Sequence, residues 1–255
     1  MRSQSFFLLL AFVCMLAKPA RAAQVLVSGN SMDSSNPGFT SRLDSLGHSY
    51  TYVPPASFLG TSLSGFNVIW LDGFSLYNSG LSPKLTDFLN GGGTVLVQSP
   101  GFGSEPLSDY PLGSTLSTVF TFPPGENLVR ITVPGHPINA GLTQADLSGW
   151  NPSGAGYFTA SGDFTVLMDN GESDQFITLV QNVGAGTLVY TQQGISQRLT
   201  TLNDPGALTL LNNVIVTVVP EPSVIGLWVL GAGMLVAGVN ARRRMSSGGG
   251  RNERG

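Results

Sequence analysis

The sequence predicts an α/β domain built on a doubly wound, mostly parallel sheet, with antiparallel hairpins added in its second half and an apolar helix behind it. Three observations carry this expectation. Between residues 24 and 98, short apolar runs alternate with stretches whose apolar residues fall three and four apart. Strands that are apolar throughout need both faces covered, which right-handed helical crossovers provide. Between residues 128 and 191 the helical spacing gives way to strand-like runs divided by turn clusters. Beyond residue 219, residues 223–241 carry no charge and run into three consecutive arginines.

Taken in order, residues 24–28 (QVLVS) are the first buried strand. Asn36-Pro37 opens a helix with Phe39, Leu43 and Leu46 on one face, and Gly47 ends it. Residues 50–53 and 67–72 (NVIWLD) are the second and third strands. Ser82-Pro83 caps a helix carrying Leu85, Phe88 and Leu89, which Gly91-Gly92-Gly93 stops before a fourth strand at 94–98 (TVLVQ). Residues 128–133, 164–168, 176–180 and 186–191 are further strands, and the clusters at 169–173 and 182–186 turn them into hairpins. Asp204-Pro205 starts a closing helix that buries Leu208, Leu211 and Ile215.

The 255 residues are 42% hydrophobic and 11% charged, against a usual charged share of about 25%, so the chain is charge-poor yet able to fill a core. Residues 23–219 set Arg42, Lys84, Arg130 and Arg198 against thirteen acidic side chains. That acidic body excludes the basic face that nucleic-acid binding requires. At the other extreme of the chain, Arg2, the apolar run 6–17 and Ala20-Arg21-Ala22 make residues 1–22 a secretory signal peptide, to be cut by signal peptidase after Ala22. The run is too short to span a bilayer. Cys14 is the only cysteine and falls in this leader, so the mature body, residues 23–219, is expected to have no disulfide, thiolate ligand or Cys nucleophile.

Pro220-Glu221-Pro222 leads into the apolar segment 223–241 and then Arg242-Arg243-Arg244. At about 1.5 Å per residue the segment covers about 28 Å, enough for one transmembrane helix, and the arginines hold that end in the cytoplasm. This order, over residues 219–244, resembles the PEP-CTERM sorting signal of Gram-negative bacteria. The resemblance implies recognition by an exosortase, passage through the inner membrane with the body outside, and delivery to the cell surface or extracellular matrix, often alongside exopolysaccharide. Family signals usually end soon after the arginines, whereas residues 245–255 continue as a Gly/Ser/Arg tail read as disordered and cytoplasmic. An ordinary single-pass anchor is the alternative.

The body itself resembles the flavodoxin-like, class I glutamine amidotransferase-like fold, in particular its extracellular trehalose-utilisation-like branches. The resemblance rests on Val25-Leu26-Val27, residues 68–72, Gly91-Gly92-Gly93 with the strand 94–97, Gly135-His136-Pro137-Ile138 with Gly141-Leu142, and residues 184–190. Amidotransferases carry a Cys on the turn after the strand that here ends at Gln98; the matching position is Ser99. Pro100 follows it and has no N–H for an oxyanion, and one lost donor costs about 2.7–4 kcal/mol of transition-state stabilisation. The family's His-x-Glu pair is missing, because His48 precedes Ser49-Tyr50 and His136 precedes Pro137-Ile138. Glutamine hydrolysis is therefore not expected.

Other candidates are weighed the same way. His136 is either a base at the mouth of the sheet or a ring that satisfies its own loop beside Pro134 and Pro137. His48, at a helix end, is expected to be a charge partner for the helix dipole. Asp169, Glu172 and Asp174 crowd one loop with the oxygen chemistry that suits calcium, though without EF-hand spacing. Trp70, Phe74, Tyr77, Phe102, Tyr110 and Trp150 are candidates for a sugar platform; burial is expected for Trp70, and Trp150 is the best loop candidate. The expectation is a secreted, surface-sorted, non-catalytic module that needs no cofactor. A divergent serine hydrolase using Ser99 and His136, or a calcium-dependent adhesion module, are the alternatives.

Overall fold

In the computed structural model, which describes residues 22–29, 37–72, 80–98, 107–119, 129–150, 156–199 and 203–217, the alternating half of the sequence folds as the spacing predicts. It comprises β1 (Gln24–Gly29), α1 (Pro37–Ser45), β2 (Ser49–Tyr52), a short α2 (Pro55–Phe58), β3 (Val68–Asp72), α3 (Leu81–Asn90) and β4 (Thr94–Gln98). The second half contributes β5 (Leu116–Val119), β6 (Arg130–Ile131), β7 (Tyr157–Ala160), β8 (Thr165–Asp169), β9 (Phe176–Val183), β10 (Gly186–Thr191), α4 (Ile195–Gln197) and α5 (Pro205–Val216). The chain divides into two units, Met1–Val219 and Pro220–Gly255. The second unit, with the expected helix at 223–241, lies outside the described residues, as does the leader over residues 1–21. Among the described residues no helix is long and apolar enough to cross a membrane.

One mixed sheet runs in the order β2-β1-β3-β4-β10-β9-β7-β5, with β8 pairing β9 and β6 pairing β8. The strands β2, β1, β3, β4 and β10 are mutually parallel, and the ladders from β9 outward are antiparallel. Val25, Ile69 and Leu96 therefore sit on adjacent interior parallel strands, as the alternation requires. β10 is the seam: it is antiparallel to its hairpin partner β9 yet parallel to β4.

Side chains of a strand alternate between faces, and each face buries its own cluster. Val25, Val27, Trp70, Leu96 and Val189 pack with Leu43 of α1 and with Leu210, Leu211 and Val214 of α5. Leu26, Ile69, Leu71, Val95 and Leu188 pack on the opposite side with Phe58 of α2 and Leu81, Leu85 and Leu89 of α3. Helices on both faces make the sheet doubly wound.

Several local expectations need correction. Ser82-Pro83 does not cap α3: Gly80 is the N-cap and makes no side-chain cap bond. Leu81 is fully buried, which carries the helix start one residue earlier, and the first turn tolerates Pro83 because its N–H would have had no partner there. The strand expected at 128–133 shrinks to Arg130–Ile131. The strands β5 and β7, and the short helices α2 and α4, have no counterpart in the expected element list. At the end of α1 the Gly47 prediction holds with detail: Gly47 has φ 75°, its N–H bonds the Asp44 carbonyl at 2.9 Å and the His48 N–H bonds the Leu43 carbonyl at 3.0 Å, a Schellman ending.

Candidate functional site

Ligands of open parallel sheets gather where the strands finish, and in this molecule that edge is polar from strand to strand. The last rung of the ladder joins Gly29 to Asp72, Asp72 to Gln98, Gln98 to Thr191 and Thr191 to Thr178. Each is the terminal residue of an apolar run or its direct partner, so one register sets them side by side. Gly29 is required here, because a Cβ would stand 2.0 Å from the Asp72 carbonyl oxygen.

Ser196 of α4 closes this row. Its hydroxyl donates to Asp72 Oδ2 at 3.0 Å and accepts from Gln98 Nε2 at 3.0 Å, and its backbone N–H bonds Gln98 Oε1 at 3.3 Å. Gln98 Nε2 also donates to Asp72 Oδ1. Asp72 is 0% exposed, Gln98 1% and Ser196 5%, so the amide and the hydroxyl satisfy a carboxylate that water does not reach. Beside it the Thr178 and Thr191 hydroxyls are 3.0 Å apart, and Thr191 Oγ1 accepts the Gln193 N–H at 3.1 Å.

A second set anchors the chain beyond α4. Asp204 caps α5 by accepting from the N–H groups of Gly206 at 2.9 Å and Ala207 at 3.1 Å, while its other oxygen takes the Trp150 indole N–H at 2.8 Å and Arg198 Nη1 at 3.2 Å. The Arg198 guanidinium lies 5.0 Å from the Trp150 ring centre and donates to the Gly149 carbonyl at 3.1 Å. Burial lowers the Arg198 pKa from its ordinary value, with Asp204 acting against that shift. This is a structural clamp, and it overturns the expectation that Trp150 is an exposed sugar platform: the ring is fully buried because a polar partner 54 residues away receives its N–H. Trp70 and Tyr110 are buried too; Phe74, Tyr77 and Phe102 lie outside the described residues.

Of the alternative catalytic pair, Ser99 lies outside the described residues, as does Pro100. His136 is at the strand-start edge. Its Nδ1 accepts the Ile138 N–H at 3.2 Å, and the Ile138 carbonyl is held by Asn213 at 3.0 Å near the C-terminus of α5, whereas Asp204 begins that helix. His136 thus satisfies its own loop, through an N–H rather than a carbonyl, and burial lowers its pKa. His48 sits at the strand-start edge as well: it is 4% exposed, its Nδ1 accepts the Ala23 N–H at 3.2 Å, and burial lowers its pKa, with the Asn212 side chain acting the other way. A ring held neutral is no dipole partner, which corrects that expectation. These are the only two histidines of the chain.

The acidic loop is likewise engaged. Arg130 grips Asp169 through both carboxylate oxygens, at 2.9 and 3.1 Å, and Asp169 and Asn170 accept the N–H groups of Gly171 at 2.9 Å and Glu172 at 3.2 Å, the bonding of a hairpin turn. Among the described residues no group of three or more His, Cys, Asp or Glu side chains is placed to hold a metal. Sequence reasoning passed over Asp72, Gln98, Ser196 and Asp204, although each apolar strand run ending in a polar residue is a visible signal for the first two.

No protein-family model and no curated protein matches the sequence. Solved structures do. A ThuA-like protein from Bacteroides uniformis is 14% identical, with a TM-score of 0.53 over 82% of this chain and 97% of that one. A cytoplasmic protein from Salmonella typhimurium is 15% identical, with a TM-score of 0.52 over 76% of this chain and 99% of that one. A glutamine amidotransferase from Thermotoga maritima is 11% identical, with a TM-score of 0.49 over 79% and 100%. The first two carry the fold: the body is similar in architecture to a ThuA-like protein.

Proposed function

We propose that the chain is secreted and sorted by an exosortase to the cell surface or extracellular matrix of a Gram-negative bacterium, and that its body is a non-catalytic amidotransferase-like module associated with exopolysaccharide. The observation that carries the sorting is the order Pro220-Glu221-Pro222, uncharged 223–241 and Arg242-Arg243-Arg244 behind a body preceded by a leader of the secretory type. Signal peptidase and the exosortase are its processing partners, and the membrane holds it through 223–241 before the second cut.

The non-catalytic reading is supported by the strand-finish edge. A nucleophile at Ser99 needs a base within hydrogen-bond reach and a donor for the oxyanion. Both histidines stand at the strand-start edge, Pro100 has no N–H, and the segment leaving β10 beside Gln98 reads Gln192-Gln193-Gly194-Ile195-Ser196. Ser196 itself donates to the buried Asp72 side chain, and both histidines of the chain are engaged elsewhere.

Sorting is tested by mass analysis of the surface protein from an exosortase-positive host. The expected product begins at Ala23 and lacks Arg242-Arg243-Arg244, and Glu221→Ala leaves a longer, membrane-retained form. Intact arginines on mature surface material would exclude sorting cleavage. Loss of the body from the matrix when polysaccharide synthesis is deleted tests the glycan partner.

A further inference from the structure

At the strand-start edge the chain passes from exposed to held between residues 22 and 23. Ala22 is exposed and Ala23 fully buried. The Ala23 N–H donates to His48 Nδ1 at 3.2 Å, its carbonyl accepts the Ser49 N–H at 3.0 Å, and the Gln24 N–H donates to Asn67 Oδ1 at 2.9 Å. The Schellman ending of α1 fixes the His48 backbone, and the side chain is buried. A ring that accepts at Nδ1 carries its proton on Nε2 and is neutral.

Resting on the export reading above, in which signal peptidase cuts after Ala22, we propose that the new N-terminal ammonium of Ala23 docks on His48, so that leader removal completes the first strand of the body. In the cut, one water is consumed: the Ala22–Ala23 C–N bond breaks, the water oxygen stays on Ala22, which leaves as a carboxylate on the leader, and both of the water's protons end on the Ala23 nitrogen, making it an ammonium. The nitrogen needs no displacement, since it already stands at hydrogen-bond distance from its acceptor. One N–H points to His48, and the two others face the exposed path that Ala22 occupied. A neutral amide contact becomes a charge-assisted one, which is about twice as strong.

The new charge also acts on the ring. The groups that face His48 are the Ala23 nitrogen from β1, the Asn212 amide from α5, and the backbone of α1 and Ser49; among the described residues no charged side chain shifts it. Protonating His48 beside an ammonium would bring two cations together, so the ring is harder to protonate in the cut form than in the uncut one.

The full chain from an exporting host tests this in two forms, the parent and Ala22→Phe, in which a large side chain at an exposed position blocks signal peptidase. Intact mass reads the N-terminus, and hydrogen–deuterium exchange at the imidazole C2 position, followed by mass spectrometry across pH, reads each histidine. The expected result is a downward shift of the His48 midpoint in the cut form relative to the uncut form, with His136 unchanged. Acetylation of the Ala23 amine in the cut form supplies a second arm, expected to move the His48 midpoint back up. If the parent begins at Ala23 and His48 titrates alike with and without the free amine, the docking proposal is overturned and the export reading stands. A parent N-terminus elsewhere overturns both.

Discussion

The two edges of the parallel sheet are built for different ends. At the strand-finish edge, Asp72, Gln98 and Ser196 close on one another out of reach of water, and Asp204 clamps Arg198, Trp150 and the start of α5 behind them. At the strand-start edge, the two histidines each accept a backbone N–H, and burial lowers their pKa values. Among the described residues, the buried polar side chains Asp72, Gln98 and Ser196 meet at the finish edge, while both histidines stand at the start edge. A side chain's chemistry is therefore no guide to function until the register says which end of the sheet it occupies.

The largest expected effect is at the finish edge. Asp204→Ala removes one partner of a mostly buried ion pair together with a helix cap, and should cost about 3–5 kcal/mol of stability, read as a lowered urea midpoint. Asp204→Asn keeps an acceptor for the cap and should lose less. Ser196→Ala comes next: Asp72 and Gln98 lose their hydroxyl, at a cost of about 1–3 kcal/mol. If Ser196→Ala proves neutral, the closed network is not what stabilises this edge.

The start edge should respond to pH instead. Burial lowers the His48 and His136 pKa values below the ordinary 6.5, so below that pH the unfolded chain binds protons that the folded chain refuses. Stability is then fully present above about 6.5 and lost as pH falls toward the folded-state values. Thermal midpoints measured at pH 7 and pH 5 should show this slope. His48→Gln should flatten it, whereas Ser196→Ala should leave it unchanged; the opposite pattern would break the contrast between the edges. The smallest effect belongs to the Asp169 turn, where Arg130 is half exposed. Arg130→Ala should barely move the thermal midpoint, and added calcium should not raise it.

Much of the parallel half was legible in the sequence because its signals are local. Thr94–Gln98 follows three glycines and is apolar from Val95 to Val97, and Asp204-Pro205 announces its helix by a cap and a fixed φ. The shortfalls are all long-range. Trp150 reads as a loop aromatic between Gly149 and Asn151, and only the fold brings Asp204 to its indole. The strands β5 and β7 are each four residues long and gain their stability from pairing with each other across the intervening chain. The finish-edge row was readable in part: Asp72, Gln98 and Thr191 each end an apolar run, but that they share one rung depends on register, which no single strand reveals.

Serine-directed labelling tests the central claim, that the finish edge does no chemistry, most directly. The exported protein, treated with a fluorophosphonate and digested, should yield no modified peptide containing Ser99 or Ser196, and should release no ammonia from glutamine. Labelling of Ser99 that His136→Ala abolishes while the thermal midpoint is kept would contradict the account, because it would show His136 serving as the base of a serine nucleophile.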